Sequence, residues 1–384
     1  MDYQSRYDET FKFTHAVIYS LYPIPMDAPF YDSTMGPFDT TKILYWMELY
    51  DEDGFMGQSP VGRNMLTDVL PHVLTGKRES YSEIYKRIYW LNRNYGFQSG
   101  SFADVGYFDR IMLDILSKRK GKPLHRYLGA TRDWVHVYGS AHGINTTIDE
   151  LLTEAQSIKD LGYTVYKMKV GTDWGRDKQT DADRVRLVRE LIGSDAKLAV
   201  DANQVWTADE AMEFFELIEK YDICWYEEPV HSHEIVELEK ICKLCPVPVS
   251  MGESLRSSHF FKVYADAGAK MLQGNEMFHG FDDWLKVREL AKERGLWFSG
   301  GGLPVHCAYM ATSDEKCYQE HLKPTNDPVM RYMLIKPEEK NGKFIIPDTP
   351  GVPMTPDWDK LHGDNYVESI NYYYPTENSN YRQI

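Results

Sequence analysis

From Val135 onward the chain repeats one unit: a short apolar segment, a few polar residues at its end, then a helix with one apolar and one charged face. The apolar segments are "VHVYGSAHG", "VYKMKVG", "KLAVDAN", "CWYEEP", "PVSMGES", "KMLQGN", "LWFSGG" and "CYQEHL". Strands that alternate with helices run parallel, and eight units in about 190 residues close into a (β/α)8 barrel more readily than they spread into an open sheet. The helices carry start signals of their own. In "TADEAMEFFELIEKY", Thr207 is placed to cap the N-terminus with Glu210 three residues on, the pattern of a capping box.

The first 130 or so residues read differently. "THAVIYSLYPIP", "KILYWMELYDEDG" and "FMGQSP" alternate as antiparallel strands joined by turns, and helical segments come next, ending in "GKPLHRYLGA". The fold class expected is therefore α/β, a TIM-like barrel with an N-terminal α+β capping domain. The domains fall at 1–132 for the cap, 133–335 for the barrel and 336–384 for a segment, including "PGVPMTPDWDKLHGDNY", that returns to complete the cap. Within residues 21–38, "PIPMDAPFYDSTMGPF" is long and rich in proline and small residues, which suits a mobile loop over a site.

Composition narrows the partners. A formal charge of -15 offers no basic stripe to nucleic acid or to an anionic membrane. No apolar run reaches the roughly 18 residues that span a bilayer, and "MDYQSRYDET" has no signal-peptide core, so a cytoplasmic protein is expected. Five cysteines in 384 residues are too few for a disulfide scaffold, and the one C-x-x-C, Cys242 and Cys245, lies in a helical pattern with no second pair to complete a zinc site.

The chemistry sits at the strand ends. Asp201, Glu227 and Glu253 end three successive strands at equal intervals of 26 residues, which brings three carboxylates to one depth on the C-terminal face, where barrel enzymes place their sites. Carboxylates so gathered repel one another unless a cation holds them, and oxygen donors with room for water suit Mg²⁺. One strand earlier, Lys167 and Lys169 share a face of "VYKMKVG" by the period-2 rule. Two adjacent ammoniums disfavour each other's protonation, so one lysine is expected to be depressed toward a useful base. A metal beside a basic lysine suggests removal of a proton α to a carboxylate, with the enediolate charge neutralised by the metal and fixed donors.

The order K-x-K, D-x-N, "WYEEP", "GES", behind a cap containing "DRIMLDILSKRKGKPLHRYLGA", resembles the enolase superfamily, and within it the mandelate racemase-like group, over nearly the whole chain. The resemblance implies Asp201, Glu227 and Glu253 as Mg²⁺ ligands, Lys169 as base, and Lys167 as its electrostatic partner or as a binder of the substrate carboxylate. Lysine bases acting with Mg²⁺ on an enediolate are typical of this superfamily. Asn203 and Glu228 match positions that support the ligands. Members of the group commonly carry an Asp after the sixth strand and a His after the seventh. Here those positions fall on Asn275 and Gly301, with Glu320 matching a glutamate that hydrogen-bonds the substrate carboxylate. His306 is an alternative base if the chain carries a local insertion, although "CAYMATS" after it reads as helix.

Without the dyad, two-base racemisation loses support and β-elimination of water gains it. The leading expectation is dehydration of an acid sugar to a 2-keto-3-deoxy acid, with Lys167, a metal-bound water, His306 or a cap tyrosine as the acid. The alternatives are an epimerase, a cycloisomerase acting on a sugar acid such as an anhydro sugar acid, and a pocket that binds acid sugars without turnover. His231 and His233 in "VHSHE" stand near the barrel mouth as candidate hydroxyl contacts. A homo-oligomer is the expected assembly.

Overall fold

The computed structural model describes residues 2–375 except 42, 142, 276 and 277. The last position expected in the first strand before its glycine, His142, and the two residues after Asn275 therefore lie outside the described residues.

Eight parallel strands form the barrel: Trp134–Ala141, Val165–Lys169, Lys197–Asp201, Ile223–Glu227, Val249–Met251, Met271–Gly274, Trp297–Gly300 and Tyr318–Leu322. Each pairs with the next, and the eighth pairs with the first, Glu320 opposite Tyr138, so the sheet has no edge between them. All eight segments marked in the sequence are these strands. The helices between them cover the outside, and the one after the third strand begins at Thr207 with the expected reciprocal bonds to Glu210.

Strand parity divides the core in two. Tyr138, Val165, Ala199, Trp225 and Met271 point inward and form a separate buried cluster inside the barrel, while Tyr166, Met168, Leu198, Val200 and Phe298 belong to the larger core under the helices. Each fully buried aliphatic or aromatic side chain in these layers contributes about 1.5–3 kcal/mol. Residues two steps past the inner cluster also face inward, which sends Lys167, Asp201 and Glu227 up toward the mouth.

The cap is an antiparallel sheet in the order Val367–Tyr373, Phe13–Leu21, Tyr45–Asp51, Met56–Pro60. Its edge strand comes from the C-terminal segment, and Trp358 stacks on Tyr19 with ring centroids 3.6 Å apart. The long cap helix Gly100–Arg119 is pinned by Asp114, which accepts from the backbone of Gln58 (2.9 Å) and of Val352 (2.8 Å). That helix also touches the barrel: a Cβ at Gly106 would lie 1.6 Å from the carbonyl of Phe278, so only glycine permits the approach.

One part of the returning segment behaves otherwise than the sequence division at 336 suggests. The hairpin Glu338–Lys340 with Lys343–Ile345 pairs antiparallel with the first barrel strand, Phe344 beside Val135, and only the chain beyond this hairpin joins the cap. No helix among the described residues is long and apolar enough to cross a membrane.

Candidate active site

The register sets the site. Lys169 lies beside Asp201, and Asp201 beside Glu227, as neighbouring partners on the second, third and fourth strands. Lys169 Nζ donates to Asp201 Oδ2 at 2.6 Å. Lys167, one inward step lower, is fully buried and contacts three carboxylates: Asp201 Oδ2 at 2.9 Å, Glu320 Oε1 at 2.7 Å, and Glu227. Tyr138 lies beneath it, its ring centroid 5.7 Å from the ammonium. The lysines thus face charged partners across the mouth rather than solvent.

The remaining oxygens of these acids are also held. The backbone N–H of Asn203 donates to Asp201 Oδ1 at 3.0 Å, and its side-chain amide reaches Glu253 Oε1 at 3.3 Å. Trp225 Nε1 donates to Glu227 Oε2 at 2.9 Å. Gln204 donates to Glu228, its backbone N–H to the carbonyl at 2.7 Å and its amide to Oε2 at 2.8 Å. Asn203, Gln204 and Glu228 all have positive φ (43°, 68° and 39°), a conformation costly for side-chain-bearing residues and concentrated at functional sites. Glu228 is fully buried, and Asn203 nearly so.

Asp201, Glu227 and Glu253 bring one carboxylate oxygen each to within 4.8 Å of the others, a group that can hold a metal ion. The electrostatics fit a cation there. Burial, then repulsion from Asp201, Glu320 and Glu253, pushes Glu227 up to about 8 against the pull of Lys167. Burial likewise raises Glu253, with Asp201 adding to it. Asp201 goes the other way: burial opposes its charge, but Lys167 and Lys169 outweigh burial and hold it below the usual carboxylate range. Hard oxygen donors crowded in a buried site are the chemistry of Mg²⁺ ligation.

The lysines correct one expectation. Burial alone would lower both, and Lys167 lowers Lys169, yet the neighbouring carboxylates, Asp201 first, hold both above the ordinary lysine value. Proximity of two ammoniums is the smaller effect where acids outnumber them. A second cluster, His321 with Asp327 and Glu339, has metal-ligand composition, but Lys323 already lies 3.2 Å from both carboxylates.

Apart from Glu253, the inward groups on the opposite half of the mouth are neutral. Ser250, Gln273, Asn275 and Ser299 are buried on or just past the fifth, sixth and seventh strands, and Asn275 Nδ2 donates to the Glu253 carbonyl. A Cβ at Gly301 would meet Glu320 Oε2 at 3.3 Å, so Gly301 faces the site; a Cβ at Gly300 would instead meet Met310 Sδ at 2.6 Å and His306 Cε1 at 3.0 Å. His306 therefore lies on the outer side of the wall, among Trp284 and Tyr309, with Nδ1 2.8 Å from the Gly301 carbonyl. Burial drives its pKa down to about 3. His306 is withdrawn from the candidate catalytic groups: register puts Gly301 at the mouth, and the insertion that would have moved His306 there does not occur. His231 and His233 are exposed on the rim. Cys242 lies in the helix Ile235–Leu244 and Cys245 just past it, and both are free thiols.

The loop over residues 21–38 reaches the site. Pro25–Phe30 and Phe38–Thr40 pair as a hairpin, and at its tip Ser33 is buried, its hydroxyl donating to the Ala202 carbonyl at 2.5 Å. Gly171, two residues after Lys169, has φ +106°, and a Cβ there would fall 2.5 Å from Ser33 Cβ. Sequence reasoning missed Ser33, Gln204 and Trp225. Trp225 had a signal, since parity places it on the face of Glu227; Ser33 and Gln204 had none.

A barrel with lysines on the second strand, carboxylates on the next three and a cap loop over the mouth defines a class of metal-dependent barrel enzymes. The chain belongs to the enolase C-terminal domain-like family, whose model matches residues 150–360, and with it to the mandelate racemase-like branch of the enolase superfamily. It is 25% identical over 299 residues to the arabinonate dehydratase of Saccharolobus solfataricus, covering 74% of this chain and 78% of that protein. It is also 25% identical over 356 residues to the 3,6-anhydro-alpha-L-galactonate cycloisomerase of Streptomyces coelicolor, covering 89% and 96%. Its fold is that of the crystal structure of L-talarate dehydratase from Polaromonas sp. JS666 complexed with Mg and L-glucarate, with TM-score 0.82, 23% identity, and 95% and 99% of the two chains covered.

Proposed function

We propose that this protein is a Mg²⁺-dependent hydro-lyase that removes the proton α to the carboxylate of an acid sugar and expels the β-hydroxyl as water, giving a 2-keto-3-deoxy acid. The observation that carries the reading is the asymmetry of the mouth: two buried lysines meshed with carboxylates on one side, amide, hydroxyl and glycine on the other. One lysine face supports a reaction that needs a proton taken and returned from one side.

Asp201, Glu227 and Glu253 would hold Mg²⁺, which when bound draws carboxylate charge away from the lysines and neutralises the developing enediolate. Lys167, held by three acids, stays charged and anchors the substrate carboxylate. Lys169, with a single acidic partner, is the proposed base. It takes the α-proton, and the same ammonium can hand a proton to the departing hydroxide. Asn203, Trp225 and Gln204 fix the orientation of Glu253, Glu227 and Glu228, while Asn275 fixes the Glu253 carbonyl. Ser33 closes the cap loop against Ala202, which excludes water from the site.

A second reading has its own support. The cycloisomerase relative aligns over 89% of this chain, against 74% for the dehydratase relative, and opening or closing a ring uses the same enediolate. Mass spectrometry of the Mg²⁺-loaded protein with a library of acid sugars in D₂O separates the two: a product lighter by one water marks dehydration, whereas an isomer of the same composition carrying solvent deuterium marks isomerisation. No water loss and no exchange with any sugar acid overturns both.

A further inference from the structure

Strands two and six stand opposite each other in an eight-stranded ring, so Asn275 faces the lysines across the mouth. Beside it lies Arg256. The Glu253 carbonyl joins the two, accepting from Asn275 Nδ2 and, at 3.2 Å, from Arg256 Nη1. Nη1 also reaches the Leu255 carbonyl at 3.3 Å, and the backbone N–H of Arg256 donates to Gln98 Oε1 at 2.8 Å, just before the long cap helix. Arg256 thus sits at the seam of cap and barrel, three residues past a candidate metal ligand.

Its guanidinium is under-used. Lys167 and Lys169 each meet a carboxylate, whereas Arg256 forms no ion pair with any described residue. Arg189, another arginine bonded only to carbonyls, engages Nε, Nη1 and Nη2; Arg256 engages Nη1 alone and leaves Nε and Nη2 without a hydrogen-bond partner among the described residues. The side chain is largely enclosed. An enclosed guanidinium with one edge free favours an anion, and its planar fork matches a carboxylate with two parallel bonds.

We propose that Arg256 binds a second carboxylate at the far end of the substrate, making sugar diacids the preferred class over sugar monoacids. This rests on the enediolate reading above, which places the reacting carboxylate at the lysine side of the mouth and so sends the rest of the substrate toward the cap seam.

The test is steady-state kinetics of the Mg²⁺-loaded full chain with galactarate and glucarate against galactonate and gluconate, in wild type, Arg256→Gln and Arg256→Lys, with thermal unfolding of each. The expected result is a diacid preference in wild type, a rise in diacid KM of about a hundredfold in Arg256→Gln, and a monoacid KM changed by less than about threefold. Arg256→Lys should fall between, because a point charge replaces a fork. A wild type that prefers monoacids, or an equal loss for both classes accompanied by a lower Tm, overturns the proposal and leaves Arg256 as a strut of the seam. If neither class reacts or exchanges deuterium, the enediolate reading fails; calorimetry with glutarate then decides Arg256 separately, with binding lost in Arg256→Gln supporting it and no binding by wild type overturning it.

Discussion

The two halves of the barrel mouth are made by the same strand–helix repeat, yet they differ in kind. On the second to fourth strands and the eighth, charged groups dominate the mouth and are answered: Lys167 by three carboxylates, Lys169 by one, Asp201 by both lysines. On the sixth and seventh strands the inward residues are the neutral Gln273, Asn275, Ser299 and Gly301, and the one histidine nearby, His306, lies behind the wall. A site with acid–base groups on two faces can deliver a proton to either side of an enediolate. A site with them on one face commits to one stereochemical course, which suits elimination or ring isomerisation better than racemisation.

The largest effect should come from the charged half. Lys169→Ala should lower turnover by about a thousandfold or more with little change in Tm, as expected when a general base is removed; retained turnover would break the comparison at its root. Next, Asp201→Asn should weaken Mg²⁺ binding, read by calorimetry, by at least about a hundredfold, since the residue is a ligand and not merely its support. Trp225→Phe removes the 2.9 Å donor to Glu227 Oε2 along with part of the ring packed against Tyr138, and should cost about tenfold in metal affinity.

The smallest catalytic effect belongs to His306. His306→Phe should leave kcat within about threefold, and the variant should reveal itself in stability instead. The folded state holds His306 near pKa 3, below the 6.5 of an unfolded histidine, so as pH falls through 6.5 the unfolded chain takes a proton that the folded chain refuses, and stability is lost. That penalty is absent in His306→Phe. Its unfolding free energy should gain on wild type by about 3 kcal/mol between pH 7 and pH 4; parallel curves would place His306 in a wetter setting than the one seen.

Much of this was legible in the sequence because period carries it. Alternation along "VYKMKVG" put both lysines inside, and the 26-residue interval put Asp201, Glu227 and Glu253 at one depth. The same parity argument separates Gly300 from Gly301 and so decides His306, but only once the last residue of the strand is known. Pairwise electrostatics was not legible. The sequence shows two lysines side by side; it does not show that Glu320, from the last barrel strand, lies 2.7 Å from one of them and helps reverse the direction of its shift. Nor does it show Ser33 at the Ala202 carbonyl or Arg256 against Gln98, contacts between segments far apart in the chain with no periodic signal. The hairpin Glu338–Ile345 escapes sequence reading for a similar reason: its partner strand is set by tertiary packing on the barrel wall.

The central claim is that proton abstraction comes from the lysine face alone. The most direct measurement is loss of the α-proton, followed by NMR in D₂O with the Mg²⁺-loaded protein and a panel of aldonic and aldaric acids, in wild type, Lys169→Ala and His306→Phe. The account predicts, in wild type and in His306→Phe, either a single α-deuterated stereoisomer or a 2-keto-3-deoxy product with solvent deuterium at the adjacent C3, and neither in Lys169→Ala. Deuterium entering both faces of the α-carbon, or proton loss that survives in Lys169→Ala and disappears in His306→Phe, would contradict it.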